Sequence, residues 1–311
     1  MSGIIAVGLS ATLQKTITFT QLQTDSVNRS TGYRIDASGK AVNAARVLNQ
    51  LSPGIVTNVC PLGEENASLF LELAARDGMK VAWVPVPGRV RYCYTLLEPG
   101  TGRATELVVS EPVGDADFSP VSESLLALIA KNLIGADALL FAGSRPASYP
   151  GDMCARICGM AKDAGLVVMA DFHGKDLKAT LERTIPTIIK INEEEFCGTF
   201  GHTFPLSEAE LAAELRFQSA KLKNTIVVTR GSKDTFAATD GVAFYHPVIA
   251  VTALNTIGCG DSFTAGFLYS WLQKESTQEA LSKGNECASR NALNLRPGSI
   301  LDSDAEGEQL W

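Results

Sequence analysis

Seven consecutive residues, Asn255-Thr256-Ile257-Gly258-Cys259-Gly260-Asp261, have the makings of an anion site. Gly258 and Gly260 put no side chain in the way and reach backbone angles closed to other residues, so successive N–H groups can turn toward one anion. Beyond them Phe263, Phe267, Leu268, Trp271 and Leu272 recur at helical spacing. The spacing predicts a helix whose positive end faces that anion, a cradle suited to phosphate. Asp261 then stands at the mouth of the cradle. A carboxylate there repels phosphate unless it has a task, and the natural task is to accept a proton from a hydroxyl attacking that phosphate. A Gly-Asp pair before a helix also reads as an N-cap, and the stretch alone leaves both readings open. Cys259 lies inside the cradle, where a helix terminus can depress a thiol pKa; a structural cysteine is the simpler reading.

Three further groups of residues carry possible chemistry. Ala37-Ser38-Gly39-Lys40-Ala41-Val42-Asn43 opens a helix and suggests a second anion site. It is not a Walker A loop, because the earlier glycine is missing and Ala41 stands where Ser or Thr should follow the lysine. Asn192-Glu193-Glu194-Glu195 follows an apolar strand over 188–191. Carboxylates at a strand end can hold Mg²⁺ through water beside nucleotide phosphates, or they form the acidic first turn of the next helix. Arg91 and Lys40 are each either a phosphate contact or a solvated side chain. A Rossmann dinucleotide fingerprint fails, since Phe263 stands three places after Gly260, and no Gly-x-Ser-x-Gly elbow is present.

The elements that must position these groups alternate. Strands are expected over 4–9, 56–62, 81–86, 138–142, 167–170, 187–191, 225–229, 235–239 and 241–246, and helices after 37, over 67–77, from about 122, over 153–164 and over 207–221. Such alternation predicts a mostly parallel sheet covered on both faces, with ligands beyond the carboxyl ends of its strands. The polar residues Gly143, Ser144, Asp171, Asn192 to Glu195 and Thr229 to Gly231 fall at those ends. Two stretches break the pattern: 16–33, with alternating hydroxyl and apolar side chains, and a hairpin over 91–109 turning at Pro99-Gly100-Thr101-Gly102. They read as a small lid inserted at about 12–35 and 89–112 of a single unit spanning 1–311.

Composition narrows the classes. The 311 residues are 45% hydrophobic and 20% charged, which suits a globular α/β protein. A net charge of −7 gives no basic footprint for nucleic acid. Seven cysteines without a Cys-x-x-Cys spacing and three scattered histidines suggest neither a disulfide framework nor a zinc site. No apolar run reaches a membrane span, so a cytoplasmic enzyme is expected.

Four ordered blocks resemble the ribokinase-like (PfkB-type) sugar kinases, in the branch of 1-phosphofructokinase and tagatose-6-phosphate kinase. They are Ser38-Gly39-Lys40-Ala41-Val42-Asn43-Ala44-Ala45-Arg46, Gly143-Ser144-Arg145-Pro146, Lys190-Ile191-Asn192-Glu193-Glu194-Glu195 and Asn255-Thr256-Ile257-Gly258-Cys259-Gly260-Asp261-Ser262. The resemblance implies a ribokinase-like three-layer α/β/α sandwich with a central mostly parallel sheet plus a small β-sheet lid, the lid serving as a homodimer contact. It implies ATP and Mg²⁺, with Asp261 as base and Gly258, Cys259 and Gly260 as anion hole. Asn192 and Glu195 match the phosphate and Mg²⁺ motif, Thr229 and Gly231 the nucleotide loop, and Asn285 the helix beside the adenine pocket. Gly39, Lys40, Asn43 and Ser144 match the sugar side, and Arg91 the arginine that holds a phosphate already on the substrate. Gln14 stands where the family has a sugar-gripping Asp, Ala41 alters the usual Gly-Gly-Lys-Gly, and Cys259 replaces an alanine, which leaves the sugar open. A sugar phosphate is the expected acceptor; a neutral sugar or nucleoside, or a relative that binds without turnover, are the alternatives.

Overall fold

The computed structural model describes residues 3–30, 32–109 and 118–301; the end of the second insertion, 110–112, and the outer ends of the 1–311 unit lie outside the described residues. The chain opens with Ile4–Val7 (β1), Thr12–Thr18 (β2) and Gly32–Ser38 (β3) and enters Lys40–Leu51 (α1). Val56–Gly63 (β4), Ala67–Arg76 (α2) and Lys80–Val86 (β5) lead to the hairpin Arg91–Glu98 (β6) and Arg103–Val108 (β7). Then come Ser119–Leu133 (α3), Ala138–Ala142 (β8), Met153–Asp163 (α4), Val167–Asp171 (β9), Gly174–Leu181 (α5), Ile188–Asn192 (β10), Glu193–Phe200 (α6) and Glu208–Leu222 (α7). Thr225–Arg230 (β11), Lys233–Thr239 (β12), Val242–His246 (β13), Cys259–Leu272 (α8) and Thr277–Ala292 (α9) complete it.

Nine of these strands form one sheet in the order β13-β12-β11-β10-β9-β8-β1-β4-β5. From β5 to β11 neighbours run parallel; β12 and β13 close that edge antiparallel. Side-chain alternation divides β1 and β8 between two cores. Ile4, Ala6, Ala138 and Leu140 join the core under α1, α2, α8 and α9, while Ile5, Val7, Leu139 and Phe141 join the one under α3 to α7. That division makes a three-layer α/β sandwich. The strand order reverses between β1 and β8, and the loops after these strands open a crevice there.

A second sheet has the order β3-β2-β6-β7, with β2 and β6 parallel. The expected wet strand over 16–33 is in fact two strands, β2 and β3, joined by residues 19–31 and paired antiparallel from Thr12↔Ser38 to Thr18↔Gly32. Pairing begins four residues earlier than the alternation suggests, because Thr12 to Lys15 find partners on both sides, in β3 and in β6. This extension carries β3 to Ser38, so only Gly39 separates the second sheet from α1. Helix α5 has no counterpart in the expected pattern. Of its eight residues only Leu177 and Thr180 are buried, too few to print a helical period.

Candidate active site

Helix α8 follows the glycine turn as expected but starts earlier, at Cys259, so Asp261 lies inside its first turn and the N-cap reading of Asp261 fails. Gly258 is the N-cap with φ +83°, and the first intrahelical bond runs from the Ser262 N–H to the Gly258 carbonyl at 2.8 Å. The Cys259, Gly260 and Asp261 amides come before that bond and form the positive end of the helix; the Cys259 N–H donates to the Thr256 carbonyl at 3.3 Å, which leaves those of Gly260 and Asp261. The turn admits no side chain: a Cβ at Gly258 would lie 2.5 Å from the Gly298 nitrogen. At Gly260 a Cβ would lie 3.3 Å from Lys190 Nζ, so the missing side chain makes room for an ammonium beside the amides.

Asp261 is buried, and its Oδ2 accepts from Asn43 Nδ2 at 2.8 Å. Burial pushes the carboxyl above the usual Asp range; Lys40, the Asn43 hydrogen bond and Lys190 pull it down, and Asp171 pushes it up. A carboxylate with a raised pKa is a better match for proton abstraction near neutrality than an ordinary one. Cys259, by contrast, is held protonated at neutral pH: burial pushes its thiol up to about 11, so the amide-rich helix end does not activate it.

Asp171, at the end of β9, organises the floor. Its Oδ1 meets Lys40 Nζ at 3.4 Å; its Oδ2 accepts from Lys190 Nζ at 3.1 Å and from Thr264 Oγ1 at 2.7 Å. Burial alone would raise its pKa, but the two ammoniums and these hydrogen bonds hold the carboxyl down at about 2. Neither Asp171 nor Lys190 received a role from the sequence. The usable signal was Lys190 itself, a charge inside the apolar strand Ile188–Asn192, where an unpaired ammonium would be costly.

The four-residue acidic motif separates by function. Asn192 and Glu195 form a capping box on α6, with Glu195 Oε2 accepting from the Asn192 N–H at 2.9 Å. Glu193 turns inward to an ion pair with Arg230 at 2.9 Å. Glu195 Oε1 faces the other way, 4.0 Å from Lys40 Nζ and 3.5 Å from His173 Nε2. One outward carboxylate oxygen on a fixed side chain fits Mg²⁺, which is commonly held by one or two carboxylates and completed by water and phosphate. Among the described residues there is no group of three or more His, Cys, Asp or Glu placed to hold a metal ion.

A cleft of about 540 Å³ crosses this edge of the sheet, lined by Gly39, Lys40, Arg91, Ser144, Arg145, His173 and Glu195 among others. Its lining mixes the cations Lys40, Arg91, Arg145 and Lys175 with the carboxylates Asp176 and Glu195. Arg91 Nη1 donates to the Val109 carbonyl at 3.0 Å, and Arg145 Nε to Asp176 at 2.9 Å. Thr229 sits beside Asn192 in the β10–β11 register, and Gly231 makes the φ +64° turn that follows β11. Of the expected site residues, Gly39, Lys40, Arg91, Ser144 and Glu195 line this cleft; Asp261, Asn43, Asn192, Thr229, Gly231 and the Gly258–Gly260 turn do not, and Asp261 is linked to it through the charge of Lys40. Gln14 and Asn285 also lie off the cleft wall, in packed positions. Gln14 is 3% exposed with its amide donating to Thr95 Oγ1 at 2.7 Å, since both its neighbours in the second sheet close over it. Asn285 is buried between α9 and β12, donating to the Leu281 carbonyl and accepting from Thr235.

Comparison with known proteins finds relatives along nearly the whole chain. Residues 4–302 match the model of the pfkB family of carbohydrate kinases. A 1-phosphofructokinase of Rhodobacter capsulatus is 30% identical over 270 residues, covering 86% of this chain and 83% of its own. A tagatose-6-phosphate kinase of Staphylococcus epidermidis is 25% identical over 298 residues, covering 96% and 94%. Among solved structures, the phosphofructokinase-2 of Escherichia coli in complex with fructose-6-phosphate superposes with a TM-score of 0.84 at 18% identity, covering 96% of each chain. A tetrameric inhibited form of that protein gives 0.83 at 20% identity, covering 94% of this chain and 95% of its own.

Proposed function

The chain belongs to the pfkB family of carbohydrate kinases, and we propose that it transfers the γ-phosphoryl group of ATP to a free hydroxyl of a hexose phosphate of the fructose or tagatose class. The observation that carries this reading is the buried Asp261 at the N-terminus of α8, hydrogen-bonded to Asn43 and set against Lys40 and Lys190. Asp261 takes the proton of the acceptor hydroxyl as its oxygen bonds to phosphorus and the bond to the departing ADP breaks. The amides of Gly260 and Asp261 and the ammonium of Lys190 meet the charge on the transferring group, fixed in place before the reaction starts, while the Cys259 N–H donates to the Thr256 carbonyl at 3.3 Å. Glu195 is the residue that would hold Mg²⁺, which when bound neutralises phosphate charge. Lys40 is tied to Asp171 and Glu195, so it stands ready without needing to be reoriented.

A second phosphate on the acceptor is favoured by Arg91 and Lys40 on the same cleft, whose Arg145 is already paired with Asp176. The relatives named for phosphorylated ketohexoses support the same class. We further read the second sheet as a lid within one kinase unit and as the contact between two copies: its edge strand β7 is exposed throughout, with Leu107 and Val108 at 50% and 57%. The seven free cysteines suit a reducing compartment, the cytoplasm. Among the described residues, no helix is long and apolar enough to cross a membrane.

The test is ADP release from MgATP with fructose 1-phosphate, fructose 6-phosphate, tagatose 6-phosphate, fructose and adenosine. A phosphorylated ketohexose is expected to give the highest kcat/KM, and Arg91→Ala to lower kcat/KM for it by about tenfold or more while sparing fructose. Highest efficiency with fructose or adenosine would overturn the acceptor class. The same sample should sediment as two copies, and Leu107→Asp as one; a dimer unaffected by that change would remove β7 from the interface.

A further inference from the structure

Asn43 faces the base, and what holds Asn43 is not part of the cleft. Its Oδ1 accepts from Ser38 Oγ at 2.9 Å and from Arg46 Nη1 at 3.2 Å. A guanidinium has no acceptor atom, so the amide atom beside it must be the oxygen. The amide nitrogen is thereby turned to Asp261 Oδ2, which it meets at 2.8 Å. A flipped amide would set N–H against the Arg46 N–H and leave a carbonyl oxygen against a carboxylate.

We propose that Arg46 is a positioning residue for the catalytic base: with Ser38 it fixes the orientation of Asn43, and through Pro297 it clamps the turn on which the anion-binding loop rests. Arg46 is 1% exposed, the most deeply buried cation of α1. Its Nη1 also donates to the Pro297 carbonyl at 2.9 Å, Nη2 to the Ala37 carbonyl, and Nε to Asp77 at 2.8 Å. Each contact leads somewhere useful. Ala37 belongs to β3 of the second sheet. Pro297 precedes Gly298, where a Cβ would lie 2.6 Å from Asn43 Cβ, and the Gly298 nitrogen is the atom that excludes a side chain at Gly258. The second sheet, the base's partner and the α8 cap thus converge on one planar fork. Asp77 pairs with Arg46, and Arg296 bridges Asp77 to Asp36, which also holds Arg34. A lysine has three donors on a single atom and cannot serve four separate acceptors in one plane.

The proposal rests on Asp261 being the base, and its effect is read at that carboxyl. Besides Asn43, the groups facing it are Lys40 from α1, Asp171 from β9 and Lys190 from β10. A hydrogen bond to the charged form favours that form, so misplacing the Asn43 N–H must raise the Asp261 midpoint. The experiment follows the Asp261 carboxyl by ¹³C NMR titration, assigned by its absence in Asp261→Asn, in the full chain, Arg46→Lys, Ser38→Ala, Asn43→Ala and the double variant Arg46→Lys/Asn43→Ala. Ser38→Ala leaves every ion pair intact and keeps the test decisive should Arg46→Lys not fold. Arg46→Lys, Ser38→Ala and Asn43→Ala are each expected to raise the midpoint, by about half a pH unit or more for Asn43→Ala. The double variant should titrate where Asn43→Ala alone does. The proposal is overturned by a wild-type midpoint in Ser38→Ala or Arg46→Lys, or by a double variant shifted beyond Asn43→Ala. ADP release by Asp261→Asn separates the two layers: turnover there overturns the base, whereas an inactive Asp261→Asn beside unmoved midpoints overturns only the role of Arg46.

Discussion

Burial and hydrogen bonding act on Asp261 and Asp171 in opposite proportions, and this sets their roles. Asp261 has one hydrogen-bond donor among its causes of shift and is pushed up by burial; Asp171 has two ammoniums and a hydroxyl and is held at about 2. Neighbouring carboxyls driven apart in pKa are the mark of a divided acid–base site. The sign follows for stability. Asp171 folds with a pKa below its ordinary 3.8, so its contribution is present above pH about 4 and is lost as the pH falls toward 2. That contribution is about 2 kcal/mol. Asp171→Asn should therefore lose about that much or more in urea unfolding at pH 7, and its stability should fall less steeply between pH 4 and 2. An unchanged midpoint at pH 7 would show that the two lysines do not depend on this carboxylate. At this scale the sequence was read well where a residue type is rare in its setting. Asp261 after two glycines and Lys40 at a helix start were singled out by type and position, and the structure brings their charges together. Glu193 and Glu195 did not, because adjacent identical side chains are told apart only by which helical face turns inward. Gln14 and Asn285 are buried with hydrogen bonds to Thr95 and to the Leu281 carbonyl, and nothing in their local sequence announces these partners.

Helix α8 is the element on which the site depends, and it is pressed from two sides. It is apolar on nearly every face because it is buried between the sheet, α1 and α9. It approaches α9 tightly at Gly266, where a Cβ would lie 2.6 Å from the Lys283 carbonyl oxygen. Ala is intrinsically better than Gly in a helix by about 1 kcal/mol. Overpacking against a backbone atom costs about 1–3 kcal/mol and is the larger effect. Gly266→Ala is expected to lower the Tm; an equal or higher Tm would mean that α9 yields freely. The same physics explains what was legible among the elements. Strands buried on both faces, such as 138–142 and 225–229, read as short apolar runs and are found there. The tie between β3 and α1 was hidden, since alternation in 16–33 says nothing about a pairing that starts at Thr12. Helix α9 entered only through the family resemblance to its Asn285, because its buried positions include Gly284, Asn285 and Asn291, which carry no apolar signal.

Across the whole molecule, the cleft lies where the strand order reverses, and helix α1 joins the second sheet to it through a single glycine. Movement of that sheet would be felt at Gly39, Lys40 and Asn43 together, which suits a lid that closes over an acceptor and aligns the base in the same step. The alternating pattern made this architecture readable before any coordinates, since a parallel sheet with a reversal has one place for ligands. The identity of the sugar was not readable, as it depends on cleft walls assembled from Gly39, Arg91, Ser144 and Arg145, residues far apart in the chain. The central claim is that Asp261 accepts the proton. Single-turnover phosphoryl transfer by Asp261→Asn, under saturating MgATP and the preferred acceptor, tests it most directly. The account predicts a rate lower by about 10²–10⁴-fold, with acceptor binding retained. Transfer within about threefold of the unmodified chain would contradict it.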